Sequence, residues 1–204
     1  MPPHVRRAHE DDRDAIVTLV VAAFVTEPAI EYFFADGYFT HSPSFFGFLL
    51  DQRLMSGEVW VAEHEGEVAS VAMWNTPSDP ELSSEQSSKD WEAVASQYPA
   101  DARERLEGYS EFLHDHKPTD AHFYLGVIAT APALHGRGLA SAVLRPTLAA
   151  ADESGHSSYL ETGTKTNVGF YARHGFVVDA EVDLPNGPRI WWMRRPANRG
   201  ERRR

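Results

Sequence analysis

A single α/β domain is what this 204-residue sequence predicts, and three observations predict it. Strand-like segments alternate with segments of helical period along most of the chain. Two pairs of strands are separated by short glycine-containing turns, which marks them as hairpins. One strongly apolar strand, at 122–130, leads through a glycine-bearing loop into a helix that begins near residue 137. The length suffices for one buried core and demands no second, and 42 % apolar residues with five Trp supply the material for it. The domain is expected to span 1–196, followed by a disordered Arg-rich tail at 197–204.

Each element has a local reason. Residues 4–7 read as a first strand. The acidic run Glu10-Asp11-Asp12 opens a helix whose Ile16, Leu19, Val20, Ala23 and Phe24 recur at i, i+3, i+4, i+7 and i+8, one apolar face. An aromatic-rich segment over 27–34 follows the turn at Glu27-Pro28. Strands at 58–62 and 68–74 flank the turn His64-Glu65-Gly66-Glu67. The polar stretch 77–120 is read as a helical insertion covering one side of the sheet, helical over about 89–113 with a break at Pro99. Trp91, Tyr98, Leu106, Tyr109, Phe112 and Leu113 are its apolar anchors.

After the strand at 122–130 come a helix at 137–153, a strand at 157–162 and a short helix at 167–174. Asn167 is the expected N-cap of that short helix and Gly175 its C′ glycine. Strands at 176–184 and 189–194 enclose Pro185-Asn186-Gly187-Pro188 as a last hairpin. Trp191 and Trp192 should point to opposite faces of it.

Composition narrows the function. No run approaches the roughly 18 apolar residues of a spanning helix, and the first residues lack the apolar stretch of a secretory signal. A soluble, cytoplasmic protein without a membrane partner is expected. The absence of Cys removes disulfides, thiolate metal sites and a cysteine nucleophile. Net charge is −11, yet six Arg crowd the last eleven residues, so 1–193 carry 13 basic against 29 acidic groups. That excludes nucleic acid as the main partner and mildly favours a cationic ligand, although acidity also serves solubility. His114, His116 and His122 lack any fixed metal-ligand spacing, so no metal is expected.

The loop Pro132-Ala-Leu-His-Gly-Arg-Gly-Leu-Ala140 carries the chemistry. Gly136 and Gly138 leave backbone amides unscreened, the helix start adds the positive end of its dipole, and Arg137 adds a full charge: a pyrophosphate cradle. A dinucleotide fingerprint fits poorly, because a third glycine is missing and a loop with Pro132 replaces the tight turn.

Here the sequence resembles a known family. Gly138-x-Ala140, with His135 three residues earlier and Ser141-Ala-Val-Leu144 after it, is similar to the acetyl-CoA loop of the GNAT superfamily, written Gln/Arg-x-x-Gly-x-Gly/Ala. Asn167 to Phe176 resembles that superfamily's short helix and following strand. Within it, Leu139 to Leu144, Tyr159 to Thr162, and Asn186 to Arg189 with Trp191 and Met193 resemble the puromycin N-acetyltransferase-like branch. The resemblance implies a mostly antiparallel, six- or seven-stranded sheet splayed at the cofactor site. It also implies an N-acetyltransferase that uses acetyl-CoA, releases CoA, acts on a small amine, and exists as a monomer or homodimer.

The resemblance implies the cofactor residues and the role of Tyr171; Glu161 is chosen as base from its place on the strand before Tyr171's helix, and the acceptor wall is this sequence's own reading. Ile128, Ala129, Thr130, His135, Gly136, Arg137, Gly138, Leu139, Ala140, Ser141, Asn167 and Tyr171 would hold the cofactor. Tyr171 would protonate the departing thiolate, or else be a core aromatic. Glu161 would take the amine's proton, or else belong to a structural network. Phe24, Glu27, Tyr32 and Trp74, with Glu161, are expected to wall the acceptor site, which the 77–120 insertion would roof. Three departures stand out: His135 replaces Gln or Arg, Glu27 stands where an aromatic is expected, and Pro146 falls inside a helix. The rival functions are a non-catalytic acyl-CoA-binding regulatory domain and a protein-amine acetyltransferase.

Overall fold

The computed structural model describes residues 3–78 and 85–198; residues 199–204, which hold most of the Arg-rich tail, lie outside the described residues. Seven strands form one sheet: β1 (His4–Arg7), β2 (Glu58–His64), β3 (Glu67–Asn75), β4 (Phe123–Thr130), β5 (Ser158–Thr162), β6 (Val177–Asp183) and β7 (Arg189–Arg195). Their spatial order is β1-β2-β3-β4-β5-β7-β6. Every neighbouring pair is antiparallel except β4 with β5. The β2–β3 turn places Glu65 at φ 56° and Gly66 at φ 84°, the doubly left-handed turn that matches strand twist.

Two cores sit on opposite faces. On one, helices α1 (Arg13–Ala23), α2 (Pro28–Phe34), α3 (Tyr38–Met55), α4 (Glu85–Ala95) and α5 (Ala100–His116) pack on Val59, Val61, Val71, Met73, Val127 and Ala129. On the other, α6 (Leu139–Ser154) and α7 (Lys165–Ala172) cover Ala72, Trp74, Leu125, Leu160 and Met193. The insertion is thus two helices, α4 and α5, separated by 96–99, with Pro99 as the residue that caps α5.

Several boundaries differ from expectation for physical reasons. The sequence reading assigned no element to 38–55, where α3 stands. Its inward residues Tyr38, Ser42, Phe46, Leu50 and Arg53 do follow a helical period, but Ser and Arg on the core side and exposed Phe39 and Met55 blur it. α7 starts at Lys165, so Thr164, extended at φ −124°, is the N-cap in place of Asn167. Asn167 is already inside the helix and its Nδ2 donates to Thr162 Oγ1 at 3.3 Å. Gly175, at φ 87°, lies two residues past the Arg173 C-cap, one beyond the expected position. α6 runs on through Pro146. Of the two tryptophans, Trp192 is buried and stacks on Tyr124 at 6.2 Å, and Trp191 is half-buried against the α6 core.

The sheet opens in the middle. β4 pairs with β5 only from Phe123–Ser158 to Leu125–Leu160, yet stays paired with β3 as far as Thr130. At Gly126 a bulge shifts the β3–β4 register, because Met73 faces Val127 and Trp74 faces Leu125. A Cβ on Gly126 would collide with the Arg53 guanidinium, which fills the kink.

Candidate active site

The open edge of β4 is a row of backbone groups without a strand partner. Ala131 N donates to Ala69 O at 2.9 Å, which fixes the alternation: odd residues from 127 onward bond β3, and the amides of Ile128 and Thr130 turn toward the opening. The Thr130 carbonyl confirms the direction, since His135 Nε2 lies 3.1 Å from it. His135 therefore fastens the loop to the strand end.

Beyond it the chain makes a nest. Gly136 and Gly138 have φ 77° and 78°, and Gly138 is the N-cap of α6. The first helical hydrogen bond is Ala142 N to Gly138 O, so the amides of 138–141 lack a helical acceptor. Four such donors at the start of a 16-residue helix fit a pyrophosphate. Ser141 Oγ is 2.9 Å from His174 Nε2, an imidazole whose pKa is lowered by burial and by Arg173, Arg145 and Arg195. Arg137 does not line the cavity; its Nη1 lies 3.3 Å from His64 Nε2, on the outer side of the loop.

A cavity of about 1250 Å³ runs from this nest, through the opening between β4 and β5, to the helices of the other face. Ile128, Ala129, Thr130, His135, Gly136, Gly138, Leu139, Ala140, Ser141, Asn167 and Tyr171 line its nest end. Phe24, Glu27 and Glu161 line the opposite half.

Glu161 sits at the waist. Tyr124 donates its hydroxyl to both carboxylate oxygens at 2.7 and 2.8 Å, and Tyr109 donates to Oε1 at 3.0 Å. Burial pushes the Glu161 pKa up to about 7, against the pull of the two tyrosine hydrogen bonds and the nearby Arg53 charge. The same enclosure and the adjacent carboxylate hold both tyrosines protonated far above their ordinary range. A carboxylate near neutrality, facing a cavity, is suited to exchange protons with a ligand. Tyr109, Tyr124 and Arg53 were not foreseen as site residues.

Glu27 lines the cavity but its oxygens are used. They accept from Ala29 N at 2.6 Å, Gly163 N at 3.2 Å and Thr164 Oγ1 at 3.4 Å, which caps α2 and ties it to the β5–α7 loop. Burial raises its pKa in spite of these bonds. Tyr171 is 4 % exposed, edge-on to Phe170 and Phe176, and its hydroxyl has no protein partner among the described residues. Burial and the charges of Glu161 and Glu27 raise its pKa.

Two expected wall residues are elsewhere. Trp74 is fully buried under α6, on the sheet face away from the aromatic helices. Tyr32 faces the β6–β7 turn, where its hydroxyl donates to Pro185 O at 3.0 Å. Among the described residues no three His, Cys, Asp or Glu gather as a metal site, and no single helix is long and apolar enough to cross a membrane.

An anion nest feeding an opened parallel strand pair is the architecture of an acyl-group transferase. The model of the Acetyltransferase (GNAT) family matches residues 21–176, and the chain belongs to that family and is an acetyltransferase. Solved structures share the fold. The histone acetyltransferase HPA2 and related acetyltransferase from Corynebacterium glutamicum is 24 % identical over 98 % of this chain and 99 % of its own, with TM-score 0.74. Arylalkylamine N-acetyltransferase 2 from Aedes aegypti is 13 % identical over 97 % and 100 %, with TM-score 0.70. An agmatine N-acetyltransferase is 12 % identical over 95 % and 99 %, with TM-score 0.64.

Proposed function

We propose that this chain transfers the acetyl group of acetyl-CoA to the primary amine of a small cationic molecule by direct attack. One observation carries the reading: a single cavity joins the unpartnered amides of 138–141 to the Glu161 carboxylate by way of the open β4 edge. Acetyl-CoA supplies an activated thioester. The amides of 138–141 would hold its pyrophosphate, and the β4 edge would align the arm. The Ile128 amide donates to the thioester oxygen as charge builds there.

Glu161 accepts the proton of the incoming ammonium, directly or through water, so that the neutral nitrogen forms the C–N bond. As the C–S bond breaks, Tyr171 gives its hydroxyl proton to the departing sulfur, and the second proton shed by the acetylated nitrogen returns through water to restore the Tyr171 hydroxyl. The raised pKa of Glu161 suits its role, because the carboxyl is partly ionised at neutral pH, and burial together with the charges of Glu161 and Glu27 keeps Tyr171 protonated in the resting site.

The amine choice is supported by Glu161, by the acidic body of the chain, and by neighbours named for arylalkylamine and agmatine acceptors. Puromycin-like antibiotics are the acceptor type to which the sequence resemblance points, and polyamines are a second class of small cationic amine that an acidic chain would attract. The test pairs calorimetry of acetyl-CoA binding with CoA release over an amine panel. Acetyl-CoA binding without turnover for any amine would favour a non-catalytic CoA-binding domain instead.

A further inference from the structure

The acceptor half of the cavity has a definite chemistry. Phe24 at the end of α1, Phe33 of α2, Phe45 and Phe48 of α3, Trp91 of α4 and Tyr109 of α5 all line it. Most of these rings touch one another. Centroids of Phe33 and Tyr109 lie 4.9 Å apart, Phe45 is 6.3 Å from Phe33 and from Trp91, and Phe48 is 5.3 Å from Trp91. Five helices thus build one aromatic wall, and Tyr109 joins it to the Glu161 carboxylate.

Charge is sparse inside this wall. Glu161 lies at its inner end, and Glu27 is occupied by its cap and loop bonds. Arg53, buried behind Gly126, acts on Glu161 from the far side. A second ammonium in the chamber would meet rings and a guanidinium. Glu107 and Glu111 stand at the cavity lining on the exposed side of α5, where water and salt screen them.

Resting on the acetyltransferase reading, we propose that the acceptor is a monocationic amphipathic amine, a single primary ammonium on an aryl or alkyl body. The ammonium meets Glu161 and the apolar body fills the aromatic wall. Such a body gains from leaving water, and a ring gains further from edge and face contacts. A polyamine must strip water from a second charge and, among the described residues, receives no buried partner for it.

The experiment compares phenylethylamine and hexylamine with putrescine and spermidine, at fixed acetyl-CoA, using the full chain. kcat/KM for phenylethylamine is expected to exceed that for either polyamine by at least about thirtyfold, the effect of burying one ring. Trp91→Ala should lower the phenylethylamine value about tenfold and leave putrescine within about twofold. Trp91→Leu, which keeps an apolar side chain without the ring, serves if the alanine variant does not fold, and should show the same selective loss. Equal or better turnover of putrescine or spermidine overturns the proposal and leaves the acetyltransferase reading standing. So does acetyl-CoA binding with no acetylation of phenylethylamine or hexylamine. Absence of protection from heat by acetyl-CoA would instead strike the underlying reading.

Discussion

Glu161→Gln keeps the outline of the side chain and removes its charge and basicity. A carboxyl held at about 7 where 4.5 is ordinary destabilises the folded state once ionised, by roughly 3 kcal/mol at 1.36 kcal/mol per tenfold change in proton affinity. The folded chain binds this proton more tightly than the unfolded chain does. Stability from this group is therefore fully present below pH 4.5 and is lost as pH rises to about 7. Urea titrations of parent and variant at pH 5 and pH 8 should show the parent losing about 2 to 3 kcal/mol more than the variant over that interval. Turnover should move the other way. With one amine in both proteins, the parent rate should gain from deprotonation of a group near pH 7, and the variant should lack that gain and run about 10² to 10⁴-fold slower. Superimposable stability and rate profiles would refute both the buried carboxyl and its role as base.

Three further outcomes follow from the geometry. Tyr171→Phe should leave acetyl-CoA affinity within about twofold by calorimetry and lower kcat by about 10²-fold or more, because the hydroxyl acts only as the thiolate leaves. Gly138→Glu should abolish acetyl-CoA binding, since φ 78° is strained for a side chain and a carboxylate would face the pyrophosphate; calorimetry reads this directly. Gly126→Ala should destabilise the fold by about 1 to 3 kcal/mol in urea titration, because the new Cβ displaces Arg53 from the bulge.

How far the sequence shows the fold depends on where burial is one-sided. β4, the glycine loop and α6 are legible because an apolar run, two glycines and a helical period follow one another within 32 residues of the chain, 123–154. α3 is not, since its core side carries Ser42 and Arg53 and its solvent side carries Phe39. The sequence points Trp74 to the acceptor wall, whereas it lies under α6. Six consecutive residues of β3, Ala69 to Trp74, are buried, so no alternation tells which face any of them takes.

The site divides in the same way. The nest is local in sequence and could be read from Gly136 and Gly138. The surroundings of Glu161 could not, because Tyr109 comes 52 residues before it and Tyr124 37 residues before it. The pairing of β4 with β5 brings Tyr124 to the carboxylate, and the packing of α5 brings Tyr109. Arg53 was hidden with the helix that carries it. Glu27 was singled out for the acceptor wall, and its residue type also fits a second use, as the N-cap of α2 ahead of Pro28.

The most direct measurement is amine-dependent release of CoA thiol from acetyl-CoA by the purified chain, followed in parallel by mass spectrometry of the amine. The account predicts release that requires both acetyl-CoA and a primary amine, with one acetyl group gained by the amine and a rate that collapses in Glu161→Gln and Tyr171→Phe. Release that ignores the amine, or that persists at the parent rate in both variants, would contradict it.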